Sequence, residues 1–184
     1  MLKTDTPKTP KFYTMPKIHK PENPGRPVIS SIDCHTANIS EYVDYYLKDH
    51  VQKLPSYIKD TKDFLNIELP DNAIFVTMDV SSLYTNIPND EGIAAVKNTL
   101  TKNGTTNIFT NVITTFLELI LTLNNFVFNG IHYLQIKGCA MGTKCAPNYV
   151  NLFMGEFEAK HIYNRIKDKA MLYLRFIDDI FMNW

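Results

Sequence analysis

Residues 172–181 read LYLRFIDDIF, a run that decides how the fold should be interpreted. Most of these residues suit a strand with at least one buried face, yet Asp178 and Asp179 lie in its middle with Arg175 as the only other charge. Two adjacent carboxylates repel, and burying either one raises its pKa or requires a nearby cation. A bare Asp-Asp pair is a weak motif that by itself favours a polar turn between two strands.

A second β-rich run, AIFVTMD at 73–79, also delivers a carboxylate at its end, that of Asp79. If the two strands are neighbours in one sheet, three carboxylates converge on one point. A pair of divalent ions would resolve their repulsion, since Mg²⁺ takes carboxylate oxygens and keeps positions open for phosphates. Two such ions, roughly 3.5–4 Å apart, can hold the attacking and leaving oxygens of a phosphoryl displacement. The pattern therefore indicates a candidate two-metal site.

The composition is that of an ordinary globular protein: 184 residues, 45% hydrophobic, with a formal net charge of zero. The size fits one domain, or one domain with a small lobe. Three cysteines without a CxxC pair support neither a disulfide framework nor a zinc site, and indicate a reducing, intracellular location. No run is apolar and long enough to span a bilayer, so no membrane partner is expected. Residues 1–30 hold six lysines and arginines and six prolines, which predicts an extended, locally cationic arm.

Hydrophobic periodicity and turn residues predict an alternation of helices and short strands. The predicted helices cover 38–53, 61–69, 89–100 and 110–123, and another starts near Pro147. Strands are predicted at 28–32 and 73–78, and Asn129-Gly130 predicts a hairpin within 126–136. The last helix should bury one apolar face, formed by Val150, Phe153, Met154, Phe157 and His161.

Four stretches in order resemble motifs of one known family. FVTMDVSSLYTNIP (75–88), GCAMGTKCAPNYVNLFM (138–154) and RFIDDIF (175–181) resemble successive palm motifs of a reverse transcriptase. The arm FYTMPKIHKPENPGRPVIS (12–30) resembles the finger motifs of the Penelope-like retroelement branch, which is similar to telomerase. The resemblance runs from about residue 12 to the end of the chain.

The resemblance implies an α+β fold, namely a right-hand polymerase palm with a small antiparallel sheet backed by helices. Residues 1–70 would form partial fingers with the Pro-rich basic arm, and 71–184 the palm. The chain would be truncated at its carboxyl end, with no thumb. Such a family member would work inside the cell, in the nucleus.

The same resemblance assigns roles to the acidic residues. Asp79, Asp178 and Asp179 would be catalytic, with Asp79 and Asp178 as the metal-binding aspartates and Asp179 in support. The Val80 carbonyl would share the first ion. The implied cofactor is a pair of Mg²⁺ ions, with Mn²⁺ as an alternative.

Other motif positions would bind the nucleotide. Tyr84 falls where the family carries an aromatic steric gate against the 2′-hydroxyl. Met141 and Gly142 belong to the loop beside the nascent base pair, where the family often carries Gln in place of Met141. Phe176 likewise stands where many members have Tyr. The candidates for gripping the triphosphate are Arg26, Lys17 and Lys20, of which Arg26 fits best because its guanidinium suits phosphate oxygens.

The function implied is RNA-directed DNA polymerisation, with an RNA template, a DNA primer and deoxynucleoside triphosphates as partners. Two other interpretations stay open on the residues alone. One is a catalytically inactive remnant that binds nucleic acid or has only a structural role. The other is the palm of an RNA-dependent RNA polymerase, which uses the same carboxylate geometry.

Overall fold

A computed structural model describes residues 2, 4–18, 20–69, 73–167 and 172–183. Helices and strands alternate along the chain, as an α+β fold requires. In chain order they are β1 (Lys11–Pro16), β2 (Gly25–Ser30), α1 (Ala37–Val51), α2 (Thr61–Leu65), β3 (Phe75–Asp79), α3 (Leu83–Asn86), α4 (Asn89–Lys102), α5 (Asn107–Thr122), β4 (Asn125–Phe128), β5 (Ile131–Leu134), α6 (Ala146–His161), α7 (Tyr163–Ile166), β6 (Leu172–Phe176) and β7 (Asp179–Asn183).

Two small sheets share these strands. The three-stranded sheet has the order β3-β7-β6 and is antiparallel throughout. The four-stranded sheet has the order β2-β1-β4-β5, in which only the β1–β4 pair is parallel. Because this second sheet joins strands from both sides of residue 70, the proposed boundary between fingers and palm does not separate two sheets. The division into 1–70 and 71–184 therefore stays a prediction.

The main hydrophobic core lies between helices rather than between the sheets. Helices α1, α4 and α5 bury the apolar faces that their periodicity predicts, and α6 joins the same core through a face that only partly matches the prediction. Fully buried members of this core include Val43, Leu47, Val96, Leu100, Ile113, Leu117, Tyr149, Val150 and Leu152. The three-stranded sheet adds Leu174 and Ile180 as buried residues. Arg175, which lies on the same face as Ile180, contacts Asn151 and Glu158 of α6, so that helix backs this face of the sheet. The predicted fold class is confirmed.

Most predicted elements are present with shifted ends. The helix predicted at 61–69 ends at Leu65, and Pro70, its expected stop, lies outside the described residues. Strand β2 begins at Gly25 rather than at residue 28. Strand β1 was not predicted, since the prolines of the arm suggested only extended chain, yet it pairs with β2 along its whole length. Among the described residues, no helix is sufficiently long and apolar to cross a membrane.

The predicted apolar face of α6 is wrong in part. Phe157 is 41% exposed, and the buried face instead includes Asn151 and Glu158, of which Glu158 is fully buried. Burying a carboxylate is costly unless it is paired. The pairing partner of Glu158 is Arg175 of the neighbouring sheet, so the polar residues are accommodated by a contact that helical periodicity cannot reveal.

Candidate active site at the carboxylate turn

The three acidic residues lie together at one end of the three-stranded sheet. Asp79, the last residue of β3, stands directly opposite Asp179, the first residue of β7. The Val80 N–H donates to the carbonyl of Asp178 at 2.9 Å, which ties the two segments together. Directly opposed residues of an antiparallel pair have Cα atoms about 4.5–5.5 Å apart and side chains on the same face. The prediction that these strands are neighbours is confirmed.

A tight turn of two residues, Ile177 and Asp178, joins β6 to β7. Ile177 has a φ of +57°, whereas Asp178 is not in the positive region. A positive φ at the first central position alone is typical of a type II′ turn, which normally has Gly there. A β-branched residue in that conformation is strained. The strained turn places Asp178 at the tip of the hairpin, beside Asp79 and Asp179.

Within the described residues, no ion pair compensates the charges of this cluster. Partial desolvation, followed by the charges of Asp178 and Asp79, raises the pKa of Asp179 above its ordinary value. Among the described residues, none of the three carboxylates accepts a hydrogen bond or forms an ion pair. Arg175, the nearest cation in sequence, pairs with Glu158 instead. The cluster therefore has unused oxygen donors and an excess of negative charge.

These donors fit a divalent cation in kind, since Mg²⁺ prefers carboxylate and carbonyl oxygens. The set consists of the Asp79 and Asp178 carboxylates, with the backbone carbonyl of Val80 next to Asp79. Within the described part of the chain, no group of three or more His, Cys, Asp or Glu side chains is arranged to hold a metal ion. The residues are thus neighbours with the right chemistry, while the ligand geometry is not preformed.

Tyr84 extends the site from the short helix α3. Its side chain is partly buried, and burial, followed by the negative charge of Asp178 and by Cys139, raises its pKa to about 12. Tyr84 packs against the same hydrophobic core as Val80 and Ile177, the neighbours of Asp79 and Asp178. The Tyr84 carbonyl accepts a hydrogen bond from the Cys139 N–H at 2.8 Å. This bond fixes α3 against the start of the 138–145 loop.

The loop that carries Met141 and Gly142 is held against strand β2. The Ile29 N–H donates to the Met141 carbonyl at 2.8 Å, and the Ser31 hydroxyl donates to the Gly142 carbonyl at 2.6 Å. Gly142 has a φ of +120°, and a Cβ added there would lie 2.2 Å from the carbonyl oxygen of Ile29. Glycine is required here by the close approach of β2. Its suggested contact with a nucleotide stays a prediction.

An open, mostly apolar groove of about 250 Å³ joins this loop to the four-stranded sheet. Met141 and Thr85 line the groove together with residues of the four-stranded sheet and Gln135, which follows β5. The lining residues are Phe12, Pro27, Ile29, Thr85, Phe126, Tyr133, Leu134, Gln135 and Met141. The groove gives Met141 an apolar environment rather than the polar one that a Gln would favour.

The three basic candidates lie on the β1–β2 hairpin. Lys17 and Lys20 belong to its connection, where the Lys20 N–H donates to the Lys17 carbonyl at 3.0 Å. Arg26 is exposed in β2, opposite Met15. In the described parts of the chain, these side chains make no ion pair with the carboxylate cluster. The structure brings together the acidic residues and Tyr84, whereas the triphosphate contacts of the hairpin stay predictions.

Sequence reasoning missed three polar residues behind the site: Arg175, Glu158 and Asn151. Arg175 is 1% exposed and donates both to Glu158 and to the carbonyl of Ile177 in the turn. One signal was available, since a single Arg in an apolar strand must find a buried partner. The identity of that partner depends on which helix packs behind the sheet.

Most of the chain matches one known protein family. Residues 18–183 match the family described as reverse transcriptase (RNA-dependent DNA polymerase). No curated protein sequence matches the chain at a significant level.

Three solved telomerase structures share the fold. Apo telomerase of Candida tropicalis aligns with a TM-score of 0.69 and 12% identity, covering 99% of this chain and 40% of that one. A form of that enzyme truncated from its C-terminal domain aligns with a TM-score of 0.64 and 14% identity, covering 98% of this chain and 45% of that one. Candida albicans telomerase, in complex with a TWJ fragment of telomeric RNA, aligns with a TM-score of 0.66 and 8% identity. This alignment covers 98% of this chain and 38% of that one. The chain thus spans less than half the length of each, and the likeness shows the fold alone.

Proposed function

The chain belongs to the reverse transcriptase (RNA-dependent DNA polymerase) family, and on that premise we propose that it extends a DNA primer on an RNA template. A deoxynucleoside triphosphate would supply each nucleotide: the primer 3′-hydroxyl would lose its proton and attack the α-phosphate, the bond from the α-phosphorus to the bridging oxygen would break, and pyrophosphate would leave. One observation carries this proposal: Asp79 stands opposite Asp179 with Asp178 at the adjoining turn, and the described residues provide no cation to balance them. Such an arrangement is costly in a protein that does not bind cations there.

The acidic residues would hold two Mg²⁺ ions, with Mn²⁺ as an alternative. Asp79 and Asp178 would be the main ligands, the Val80 carbonyl would contribute to the first ion, and Asp179 would support the pair. When bound, the ions would neutralise the charge of the triphosphate and align the attacking and leaving oxygens. The side chains themselves undergo no covalent change, so the contribution of the protein is positioning and electrostatics.

The remaining roles concern the nucleotide. Tyr84 would support the sugar of the incoming nucleotide and exclude a 2′-hydroxyl. Met141 and Gly142, fixed by β2, would lie beside the nascent base pair. Arg26, with Lys17 and Lys20, would bind the triphosphate from the β1–β2 hairpin, and the absence of acidic partners for these three cations in the described residues supports that role.

Three finer features belong to the same proposal. The motifs at 12–30 favour the Penelope-like branch of the family, and a nuclear location follows from that resemblance. A thumb-like partner segment would hold the primer–template duplex from the second side.

A primer-extension assay tests the function directly. The protein is incubated with poly(rA)/oligo(dT), dTTP and either Mg²⁺ or Mn²⁺, and the extended primer is measured. We expect incorporation that Asp178→Asn reduces by at least about 100-fold, because the variant loses a charged metal ligand. Glu118→Gln is the matched control, since it removes one exposed negative charge on α5 and should leave the rate unchanged.

The inactive remnant is the second candidate. It is favoured by the finding that no three His, Cys, Asp or Glu side chains of the described region are arranged to hold a metal ion. A remnant would bind the primer–template duplex in a filter or anisotropy assay without extending it with either ion. Duplex binding together with extension by the wild type and not by Asp178→Asn would rule it out.

A further inference from the structure

A buried ion pair lies directly behind the carboxylate turn. Arg175 on β6 and Glu158 on α6 are 1% and 0% exposed, and the guanidinium Nε donates to Glu158 Oε1 at 2.5 Å. Replacing a buried ion pair by apolar residues of similar volume is often neutral or stabilising. Stability of the fold is therefore a poor explanation for this pair, and its other contacts indicate a more specific role.

The guanidinium connects α6 to the turn. Its Nη1 donates to Asn151 Oδ1 at 2.5 Å and to the Ile177 carbonyl at 3.1 Å, and its Nη2 donates to the Asn151 carbonyl at 3.3 Å. Glu158 is held in turn by the Ser56 hydroxyl at 2.6 Å. The planar guanidinium offers several donors in a fixed arrangement, which a lysine ammonium cannot reproduce. Arg175 thereby links helix α6 to the Ile177 carbonyl of the turn.

That carbonyl belongs to the strained residue. Ile177 has a φ of +57°, a conformation that costs free energy and persists only where the surroundings impose it. The next carbonyl, that of Asp178, accepts a hydrogen bond from the Val80 N–H. The turn is thus fixed at two successive carbonyl groups, one by Arg175 and one by the segment that follows Asp79.

We propose that Arg175, oriented by Glu158 and Asn151, is a positioning residue that fixes the Ile177–Asp178 turn and so directs the Asp178 carboxylate toward Asp79. Its catalytic consequence rests on the proposed polymerase function. The positioning itself does not, since it concerns only contacts within the chain. Loss of the guanidinium should loosen the turn while the strands on either side stay paired.

The decisive variant is Arg175→Lys, which retains a positive charge for Glu158 and loses the contact with Ile177. The matched control is Ser56→Ala, which removes another hydrogen bond to the same carboxylate without touching the turn. Asn151→Ala is a second test variant, because it keeps the Arg175–Glu158 pair and removes only the acceptor that orients Nη1. It provides the answer if Arg175→Lys fails to fold.

The first readout is amide hydrogen exchange at Val80, whose N–H is bonded to the turn, relative to Leu117 in the helical core. We expect exchange at Val80 to be at least about tenfold faster in Arg175→Lys than in Ser56→Ala, with a smaller increase in Asn151→Ala. The reason is that local opening of the turn no longer requires breaking the hydrogen bond from Arg175 to the Ile177 carbonyl. Equal exchange at Val80 in the control and in both test variants would overturn the inference.

The second readout is primer extension by the same proteins. We expect kcat to fall by about tenfold or more in Arg175→Lys, with KM for dTTP within about twofold, because the turn acts on the reacting groups rather than on binding. If the kcat of Arg175→Lys equals that of Ser56→Ala, the contact between Arg175 and the turn has no part in catalysis. If exchange at Val80 accelerates but the wild type does not extend primers, the positioning role stands and the polymerase function fails.

Discussion

Asp79 and Asp179 are directly opposite each other in the β3–β7 ladder, so two carboxylates project from the same face of adjacent strands. Like charges in that position destabilise a sheet. The strained turn at Ile177–Asp178 adds a third carboxylate, that of Asp178, to the pair. The folded protein therefore sustains a local repulsion, and several measurements can reveal it.

The first prediction concerns the stability of the metal-free protein. Asp179→Asn should raise the free energy of unfolding at neutral pH by a few tenths of a kcal/mol, because it removes one of two opposed charges. Urea unfolding in the presence of EDTA measures the effect. Glu118→Gln changes the net charge equally and should have no such effect, so an equal gain in both variants would attribute the result to net charge alone.

The pH dependence follows from the same residue. Desolvation and the neighbouring aspartates raise the pKa of Asp179 above its ordinary value of 3.8, so in this range the folded state binds more protons than the unfolded state. The contribution of Asp179 to the free energy of unfolding must then fall as pH rises from 3.8 through the raised pKa. Unfolding titrations across this interval should show that slope in the wild type and lose it in Asp179→Asn.

A third prediction concerns divalent ions. If the cluster binds Mg²⁺ or Mn²⁺ only when folded, the ion should raise the melting temperature in a concentration-dependent way. At about 100 times the dissociation constant the stabilisation is about 2.7 kcal/mol. Scanning calorimetry with increasing Mn²⁺ measures it.

Asp178→Asn serves as the comparison for this titration. The shift should shrink strongly in the variant because one ligand carboxylate is lost. A shift of equal size in the wild type and in Asp178→Asn would place the bound ion elsewhere.

The fourth prediction tests the sugar-selection role of Tyr84. Tyr84→Ala should raise the ratio of ribonucleotide to deoxynucleotide incorporation by about tenfold or more, because the ring no longer meets the 2′-hydroxyl. Competitive primer extension with rUTP and dTTP measures this ratio. A ratio that does not rise in Tyr84→Ala would count against the gate and favour an RNA-dependent RNA polymerase.

Tyr84→Phe is the control for that experiment. The pKa of Tyr84 is about 12, so its phenol is neutral throughout the assay range, and removing the hydroxyl keeps the ring in place. We expect the incorporation ratio of Tyr84→Phe to equal that of the wild type.

The fifth prediction separates two reasons for glycine. Gly142→Ala should cost more than about 2 kcal/mol of stability, because the new Cβ would lie 2.2 Å from the Ile29 carbonyl oxygen in addition to the unfavourable φ of +120°. Gly130→Ala is the matched control, since that hairpin glycine has a φ of +77° with no atom within 4 Å of the added Cβ.

Chemical denaturation of both variants gives the comparison. The control should cost only about 1 kcal/mol, the penalty of the backbone conformation alone. Equal costs would mean that the loop at 138–145 can move away from β2.

The sequence by itself determined the elements whose signals are local. Helical periodicity predicted α1, α4 and α5, Asn129-Gly130 predicted the β4–β5 hairpin, and each β-rich run that ends in aspartate became a strand of the three-stranded sheet. These features depend on residues a few positions apart, whose spacing follows from the periods of helix and strand. Strand β1 was not predicted, because its pairing with β2 makes it a strand, whereas its own prolines indicate only an extended chain.

Only the tertiary structure decided which charged residues form ion pairs with one another. The sequence places Arg175 three residues from Asp178, yet the folded chain pairs it with Glu158 and leaves the carboxylate cluster without a cation in the described residues. The reason is the alternation of strand faces together with long-range packing. Arg175 projects toward α6, whereas the register of β3 against β7 sets Asp79 opposite Asp179. Neither relationship can be read from spacing along the chain, because each is fixed by which distant segment lies alongside.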